Sequence, residues 1–314
     1  MTQPGKPQGR KRQVAPSPVA AAAAAAGFGA GSRGPLFEPV TPRDPAFLEA
    51  IEALAPDLAV TVAYGGLLPQ RFLDCPPLGT LNIHPSLLPR WRGAAPVQRS
   101  LEAGDAVVGV SVAYTVLALD AGPVLAAERV PTPEHAAAPA LLADLMARGG
   151  RLLLGALPGV WAGEGAGRAV AQDAAAATRA PRLAKADARL DLTQPLCSVY
   201  NRWRACAGWP TGWVAVRVGA TDGPATALKL TAARPLPSPP DAAAAAALAA
   251  APGGGRVGVA KDRLLFRCGD GGVLAATAVV PAGRAAMDAA AYVNGLAGAP
   301  LFVVGEGEEG GGGV

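Results

Sequence analysis

Apolar and polar positions in the first half of the chain change repeatedly between helical and strand-like spacing. Residues 44–54 carry apolar side chains at helical intervals, with Asp44 placed to cap the helix and Pro45 in its first turn. The same reasoning predicts further helices and several apolar strands, of which the first is expected to be buried. The predicted helices are 94–103 and 138–157, and the predicted strands are 58–63, 80–84, 107–116 and 124–130. Strands that alternate with helices predict an α/β domain with a substantially parallel sheet, whose ligands lie at the carboxyl ends of the strands.

The pattern changes after residue 160. A Gly/Ala-rich stretch at 161–177 is typical of a linker, and 191–206 has the spacing of a helix. Short strands with glycine between them then predict a small barrel, at 213–218, 227–231, 256–260, 263–268 and 272–280. The Pro/Ala/Gly-rich stretch that interrupts them is interpreted as a disordered loop. We therefore expect a domain at 1–160, a linker at 161–180 and a barrel-like domain at 181–314 with a disordered insert near 235–255.

Composition narrows the class of protein. The chain has 314 residues, of which 51% are hydrophobic and 17% charged, and no apolar run reaches the roughly 20 residues needed to cross a bilayer. A membrane protein is therefore not predicted. Lys and Arg (28) exceed Asp and Glu (24), a mild basic balance that is compatible with a polyanionic partner. The absence of a close cysteine pair argues against a disulfide scaffold or a structural zinc site; the cysteines are Cys75, Cys197, Cys206 and Cys268.

The polar residues of the predicted strand 80–84 are the main candidates for chemistry. Asn82 and His84 are two positions apart, so their side chains project from the same face of the strand. A carboxamide donor beside an imidazole can activate a carbonyl group, since the amide stabilises an oxyanion while the ring moves a proton. Asp120, in a predicted turn, could supply a carboxylate to His84. From these residues alone, purely structural roles at a strand end and in a turn remain open.

Two motifs resemble those of a known enzyme superfamily. The segment NIHPSLLP at 82–89 resembles the signature of folate-dependent formyltransferases, and LDAG at 119–122 is similar to their distal catalytic aspartate motif. The segment RWRGAAPVQRS at 90–100 is similar to the members that act on methionyl-tRNA. The similarity continues at 178–183, 187–191 and 208–210 and ends near 281–284. The resemblance implies an α/β fold, with a Rossmann-like formyltransferase domain followed by a small OB-like β-barrel.

The resemblance also implies an activity and a role for each residue. The family transfers a formyl group from 10-formyltetrahydrofolate to the α-amino group of methionyl-initiator tRNA, for translation initiation, and we expect a monomer that needs no metal. Asn82 would bind the formyl oxygen, His84 would be its electrostatic and proton-transfer partner, and Asp120 would orient His84 and help to remove the amine proton. The segment expected to contact folate consists of Ser86, Leu87, Leu88 and Pro89. The residues expected to bind tRNA are Arg10, Lys11, Arg12, Arg182 and Lys185.

The N-terminal segment has two interpretations. The first 37 residues contain five Lys/Arg and no acidic residue, which fits an organellar transit peptide or a disordered tail. The resemblance instead matches this segment to a basic flexible loop that contacts the tRNA acceptor stem. In that register the family's first strand, first helix and second strand have no counterpart in this sequence, which leaves two expectations open: a truncated sequence, or a fold with an exposed sheet edge. A mitochondrial or plastid location is expected, or the cytoplasm if the source is bacterial.

Two other functions remain open at this stage. A formyltransferase that acts on a small molecule, such as glycinamide ribonucleotide or an amino sugar, would share the same three polar residues. A catalytically inactive RNA-binding protein would need only the barrel.

Overall fold

The computed structural model describes residues 1–8, 12–29, 33–238, 240–251 and 257–305. The chain forms two units whose segments alternate along the sequence. Unit 1 comprises 1–94, 109–129 and 145–179, and unit 2 comprises 95–108, 130–144 and 180–314. The expected division into consecutive domains around residues 161–180 does not coincide with these units, because two segments of the N-terminal half belong to unit 2.

The elements agree with most of the sequence predictions. The helices are α1 (Pro18–Ala25), α2 (Pro45–Leu54), α3 (Gln70–Leu73), α4 (Pro96–Ala103), α5 (Ala138–Trp161), α6 (Gly165–Arg168), α7 (Leu196–Ala205), α8 (Ala242–Ala249) and α9 (Ala289–Gly295). The strands of the first half are β1 (Lys6–Gln8), β2 (Gln13–Ala15), β3 (Ala59–Val62), β4 (Thr80–His84), β5 (Arg92–Gly93), β6 (Val107–Tyr114) and β7 (Val124–Pro131). Those of the second half are β8 (Arg179–Ala180), β9 (Trp213–Val218), β10 (Thr226–Pro235), β11 (Val257–Val259), β12 (Leu264–Arg267), β13 (Val273–Pro281), β14 (Met287–Asp288) and β15 (Leu301–Val303).

The sheet of the first half has the strand order β3-β4-β6-β7. Strand β3 runs parallel to β4, with Thr61 paired with Asn82, whereas β4 runs antiparallel to β6, with Asn82 opposite Ala113. The prediction of a substantially parallel sheet is therefore wrong at the β4–β6 pair. A buried apolar strand shows the same residue pattern in either direction, so periodicity could not distinguish the two arrangements.

Strand β3 forms one edge of this sheet. Its side chains alternate between half-buried and exposed positions, and Val60 and Val62 are 46% and 45% exposed. The prediction that this strand is buried is therefore wrong.

Helix α2 begins where the sequence predicted. The Asp44 carboxylate accepts hydrogen bonds from the N–H groups of Ala46 (2.9 Å) and Phe47 (3.2 Å), which satisfies two of the unpaired donors of the first turn. Phe47 and Leu48 are buried and pack in a cluster with Leu68 and Phe72.

The N-terminal segment contains regular structure. Strands β1 and β2 form a hairpin with Lys6 opposite Ala15, and α1 follows, capped by the Ser17 hydroxyl. Arg12 is exposed and directly precedes β2, with φ 49°. Arg10 and Lys11, two of the predicted tRNA-binding residues, lie outside the described residues.

The sheet of the second half follows the order β11-β12-β13-β10-β9-β15. The two end strands, β11 and β15, approach each other, so the sheet is a nearly closed barrel, as predicted. Its interior is filled by fully buried apolar side chains such as Leu228, Leu264, Phe266 and Leu274. Helix α7, predicted from residue 191, begins only at Leu196, because Pro195 disfavours helical backbone in the residue before it.

The insert near 235–255 was predicted to be disordered, and this is wrong for helix α8. The Asp241 carboxylate caps the helix at the Ala244 N–H (2.8 Å), and Ala244 and Leu248 are buried against Leu265. Alanine has the highest helix propensity, so this low-complexity stretch forms a helix once one face is covered. Residues 239 and 252–256 of the insert lie outside the described ranges. Within those ranges, no helix is both long and apolar enough to cross a membrane.

Candidate active site

Strand β4 places Asn82 and His84 on one face of the sheet. Leu81 and Ile83 alternate with them and are buried at 0% and 6% exposure. His84, 4% exposed, lies at the end of the strand, and Pro85 follows it. The predicted pairing of an amide and an imidazole on one face is present.

Thr61 of the neighbouring strand fixes the orientation of the Asn82 amide. The Thr61 hydroxyl donates to Asn82 Oδ1 at 3.0 Å, and the two residues are direct partners in the β3–β4 register. The hydroxyl also lies 3.3 Å from the Leu81 carbonyl, which is a second acceptor for its proton. The Asn82 NH2 group remains available to donate to a carbonyl oxygen.

The hydrogen bond to the Trp91 carbonyl decides the tautomer of His84. His84 Nε2 lies 2.9 Å from the Trp91 oxygen, and since a carbonyl only accepts, Nε2 carries the proton. In the neutral ring the lone pair therefore lies on Nδ1. Asp120 Oδ2 is 3.8 Å from that nitrogen, too far for a direct hydrogen bond but close enough to stabilise a positive charge on the ring.

Two hydrogen bonds hold Asp120, one at its carboxylate and one at its backbone carbonyl. Its Oδ2 accepts from the Gly93 N–H at 2.9 Å, and its own carbonyl accepts from Gln172 at 2.9 Å. The residue has φ 50°, in the left-handed region that few residues other than glycine adopt without cost. The side chain is only 15% exposed. The structure thus brings together all three predicted catalytic residues.

In the segment predicted to contact folate, the first residue makes hydrogen bonds within the protein. Ser86 is buried and donates from its hydroxyl to the Arg90 carbonyl at 2.7 Å, while its own carbonyl accepts from Ser111 at 2.7 Å. The Leu88–Pro89 peptide bond is cis. Leu87, Leu88 and Pro89 are half-buried, with part of their apolar surface accessible.

The predicted tRNA-binding cations that the structure describes all lie on the surface. Arg12 is exposed in unit 1, and Arg182 and Lys185 are exposed in unit 2. In the described part of the chain, no group of three or more His, Cys, Asp or Glu side chains is arranged to hold a metal ion.

Comparison with known proteins identifies the family. Residues 1–157 match the formyl transferase family, and residues 182–297 match the formyl transferase C-terminal domain. The chain is 38% identical over 307 residues to a methionyl-tRNA formyltransferase of Thermus thermophilus, covering 96% of this chain and 88% of the relative. It is 36% identical to a methionyl-tRNA formyltransferase of Symbiobacterium thermophilum, covering 94% and 83%. The chain belongs to the methionyl-tRNA formyltransferase family. The resemblance of the 82–89 and 119–122 motifs to formyltransferases is thereby confirmed.

Solved structures agree with this family fold. The HypX structure from Aquifex aeolicus in complex with tetrahydrofolic acid is similar with a TM-score of 0.57 and 18% identity, over 80% of this chain and 41% of HypX. At that identity the similarity shows a shared fold and nothing more specific.

Sequence reasoning missed the residues that hold the three catalytic candidates in place. Thr61 orients Asn82, Gln172 contacts the Asp120 turn, and the Thr178 hydroxyl accepts from the Trp91 N–H at 2.9 Å. Thr61 is a polar residue in the apolar strand β3, and this could have indicated a role for it. Gln172 lies in the predicted linker and gave no signal, whereas Thr178 begins the 178–183 segment that resembles the family.

Proposed function

We propose that this protein transfers a formyl group from 10-formyltetrahydrofolate to the α-amino group of methionyl-initiator tRNA, for translation initiation. The observation that carries the proposal is the arrangement of the Asn82 amide, His84 Nδ1 and Asp120 Oδ2 at the end of β4, in a chain 38% identical to a methionyl-tRNA formyltransferase over almost its whole length.

In the proposed reaction each side chain has a separate part. As the amine nitrogen bonds to the formyl carbon, Asn82 Nδ2 donates to the formyl oxygen, on which negative charge develops. His84 Nδ1 accepts the proton that the amine must lose, since Nε2 is already protonated against the Trp91 carbonyl. Asp120 stabilises the resulting imidazolium. His84 then returns the proton to the folate nitrogen, as the bond between that nitrogen and the formyl carbon breaks.

Surface features support the assignment of the two substrates. The accessible apolar surface of Leu87, Leu88 and Pro89 fits one wall of a folate pocket. Exposed cations such as Arg182 and Lys185 suit the phosphates of tRNA. We expect the enzyme to act as a monomer. An organellar location stays a prediction, since the relatives named above are bacterial.

The direct test is formyl transfer to methionyl-initiator tRNA by the purified chain and by its Asn82→Ala variant. Loss of an oxyanion donor costs about 10²–10³ in rate, so kcat should fall by that factor while folate affinity changes little. Asn294→Ala, at an exposed position of α9, is the matched control and should keep full activity. Equal and modest losses in kcat and folate affinity would make Asn82 structural. Faster formylation of an amino sugar or of glycinamide ribonucleotide would favour a small-molecule substrate instead.

A separate experiment tests the role of the N-terminal cations. Arg10, Lys11 and Arg12 changed together to alanine should weaken tRNA binding and flatten its dependence on salt, because fewer counterions are released. Folate binding serves as the control and should not change. Unchanged tRNA affinity across the salt series would contradict this role. A mature protein beginning after Gly34 would do so too, because the segment would then be a targeting sequence.

A further inference from the structure

We propose that Gln172 is a positioning residue that holds the Asp120 turn in its reactive geometry, an inference that rests on the function proposed above. Gln172 is half-buried and follows α6, in the stretch that the sequence presented as a linker. Two residues earlier, Val170 is anchored to Val124 by hydrogen bonds of 2.8 Å in both directions. The backbone that carries Gln172 is therefore fixed beside the first residue of β7.

The Gln172 carboxamide uses its full hydrogen-bonding capacity. Its Oε1 accepts from Arg92 Nε at 2.9 Å and from Arg92 Nη2 at 2.7 Å. Its Nε2 donates to the carbonyl oxygens of Asp120 at 2.9 Å and Gly122 at 2.6 Å. A guanidinium only donates and a carbonyl only accepts, so the partners fix which end of the amide faces which neighbour.

These contacts close a ring around the catalytic carboxylate. Gln172 joins the Arg92 side chain to the backbone of Asp120, and the next residue, Gly93, donates its N–H to Asp120 Oδ2 at 2.9 Å. The carboxylate and the backbone of Asp120 are thus both tied to the 92–93 segment. The same contacts set the 3.8 Å separation between Asp120 Oδ2 and His84 Nδ1.

The turn needs this support because its backbone is unusual. Asp120 has φ 50°, a conformation that disfavours side chains with a Cβ atom. Gly122 packs so closely on the Tyr114 carbonyl that a Cβ atom there would overlap it. Gln172 binds the carbonyl oxygens of both residues and so stabilises the conformation that presents the Asp120 carboxylate to His84.

Two substitutions remove the amide donors in different ways. Gln172→Met keeps the length of the side chain without polar groups, and Gln172→Glu keeps an oxygen partner for Arg92 but cannot donate to the turn. Small misplacements of a reacting group cost up to about 10² in rate, so we expect kcat to fall by roughly 10–100-fold in both variants, with KM for both substrates little changed. Gln70→Met, at an exposed glutamine of α3, is the matched control.

A double-mutant cycle separates positioning from a general effect on the fold. If Gln172 acts through Asp120, Gln172→Met should lower kcat much less in an Asp120→Asn background than in the unmodified enzyme. Asparagine tolerates the left-handed conformation and keeps a side-chain acceptor for Gly93, so the background variant retains the turn. Additive losses would overturn the proposal.

A spectroscopic readout keeps the proposal testable independently of the substrate. The chain contains two histidines, His84 and His135, so imidazole ¹⁵N NMR signals can be assigned by substitution. Gln172→Met should shift the His84 signals, because the neighbouring carboxylate moves, and leave those of His135 in place as a check on folding. Unchanged His84 signals would refute the positioning role whatever the substrate. Absence of transfer to methionyl-tRNA by the unmodified chain, with shifted His84 signals in the variant, would count against the proposed function alone.

Discussion

Replacing Gly149 by alanine should lower both the stability and the activity of the enzyme, because α5 lies directly against the sheet at this residue. A Cβ atom there would overlap Ile83 Cγ2 and come within 2.7 Å of Val110 Cγ2, well inside the roughly 3.5–4.0 Å of an ordinary carbon contact. Ile83 is the residue between Asn82 and His84 on β4. Any shift of the strand that relieves the overlap therefore displaces both catalytic candidates.

The expected magnitude follows from two opposing contributions. Alanine is favoured over glycine in a helix interior by about 1 kcal/mol, whereas inserting a methyl group into a packed core costs about 1–3 kcal/mol. Ile83 and Val110 are buried at 6% and 0% exposure and have little room to move, so the upper part of that range applies. We expect a net loss of about 1–2 kcal/mol, which lowers Tm by roughly 2–8 °C.

The adjacent glycine provides a matched control. A Cβ atom at Gly150 would meet nothing within 4 Å, so Gly150→Ala should gain about 1 kcal/mol and raise Tm by about 2–4 °C. Calorimetry of both variants gives the difference in stability, and formyl-transfer kinetics give kcat. A Gly149→Ala protein as stable and as active as Gly150→Ala would refute the packing argument.

Three further predictions test other parts of the structure. Thr61→Val removes the hydroxyl that hydrogen-bonds to the Asn82 amide and should lower kcat by about 2–10-fold. Thr61→Ser should recover most of the loss, and equal rates in the two variants would contradict this. At about pH 8 a maleimide should label the exposed Cys197 and not the buried Cys206, because burial raises the pKa of the Cys206 thiol to about 11. Mass spectrometry measures the labelling, and reaction of both thiols would contradict the prediction. Burial alone would raise the pKa of Asp187, but hydrogen bonds from a backbone N–H and from Arg99 outweigh it and hold the pKa below its ordinary 3.8. The stability that this ionised carboxyl contributes is therefore present above its unfolded pKa and is lost as the pH falls below about 4. The Tm of Asp187→Asn should therefore fall less steeply with acid than that of the unmodified protein. Matching pH profiles of Tm would refute the assignment.

Local signals in the sequence were sufficient for the elements that carry the chemistry. The Asp44-Pro45 pair gave the start of α2, and the alternation around Asn82 and His84 gave both the strand and the shared face. Both inferences depend on contacts within a few residues, which the order of residues determines directly. The direction of β6 relative to β4 and the exposed face of β3 depend on which strands become neighbours, and periodicity carries no such information.

The residues that support the site could not be predicted from the sequence, for the same reason. Thr61 meets Asn82 through a parallel register, and Gln172 meets Asp120 at a sequence separation of 52. A glutamine in a Gly/Ala-rich stretch has no pattern that distinguishes it from a surface residue. Helix α8 was missed because a run of alanines has the same composition in a disordered loop and in a helix whose face is covered.

The contacts of residues 172–178 have a consequence for how the enzyme is made. All three catalytic candidates have been synthesised by residue 120, and the match to the first family domain ends at 157. Yet the Trp91 N–H donates to Thr178, and Arg92 donates to Gln172. A nascent chain or proteolytic fragment ending near residue 160 would contain every reacting group but lack the acceptors that fix the 91–93 loop. Contacts of high sequence separation form slowly, so we expect the geometry of the proposed active site to form only after residues 172–178 have been synthesised.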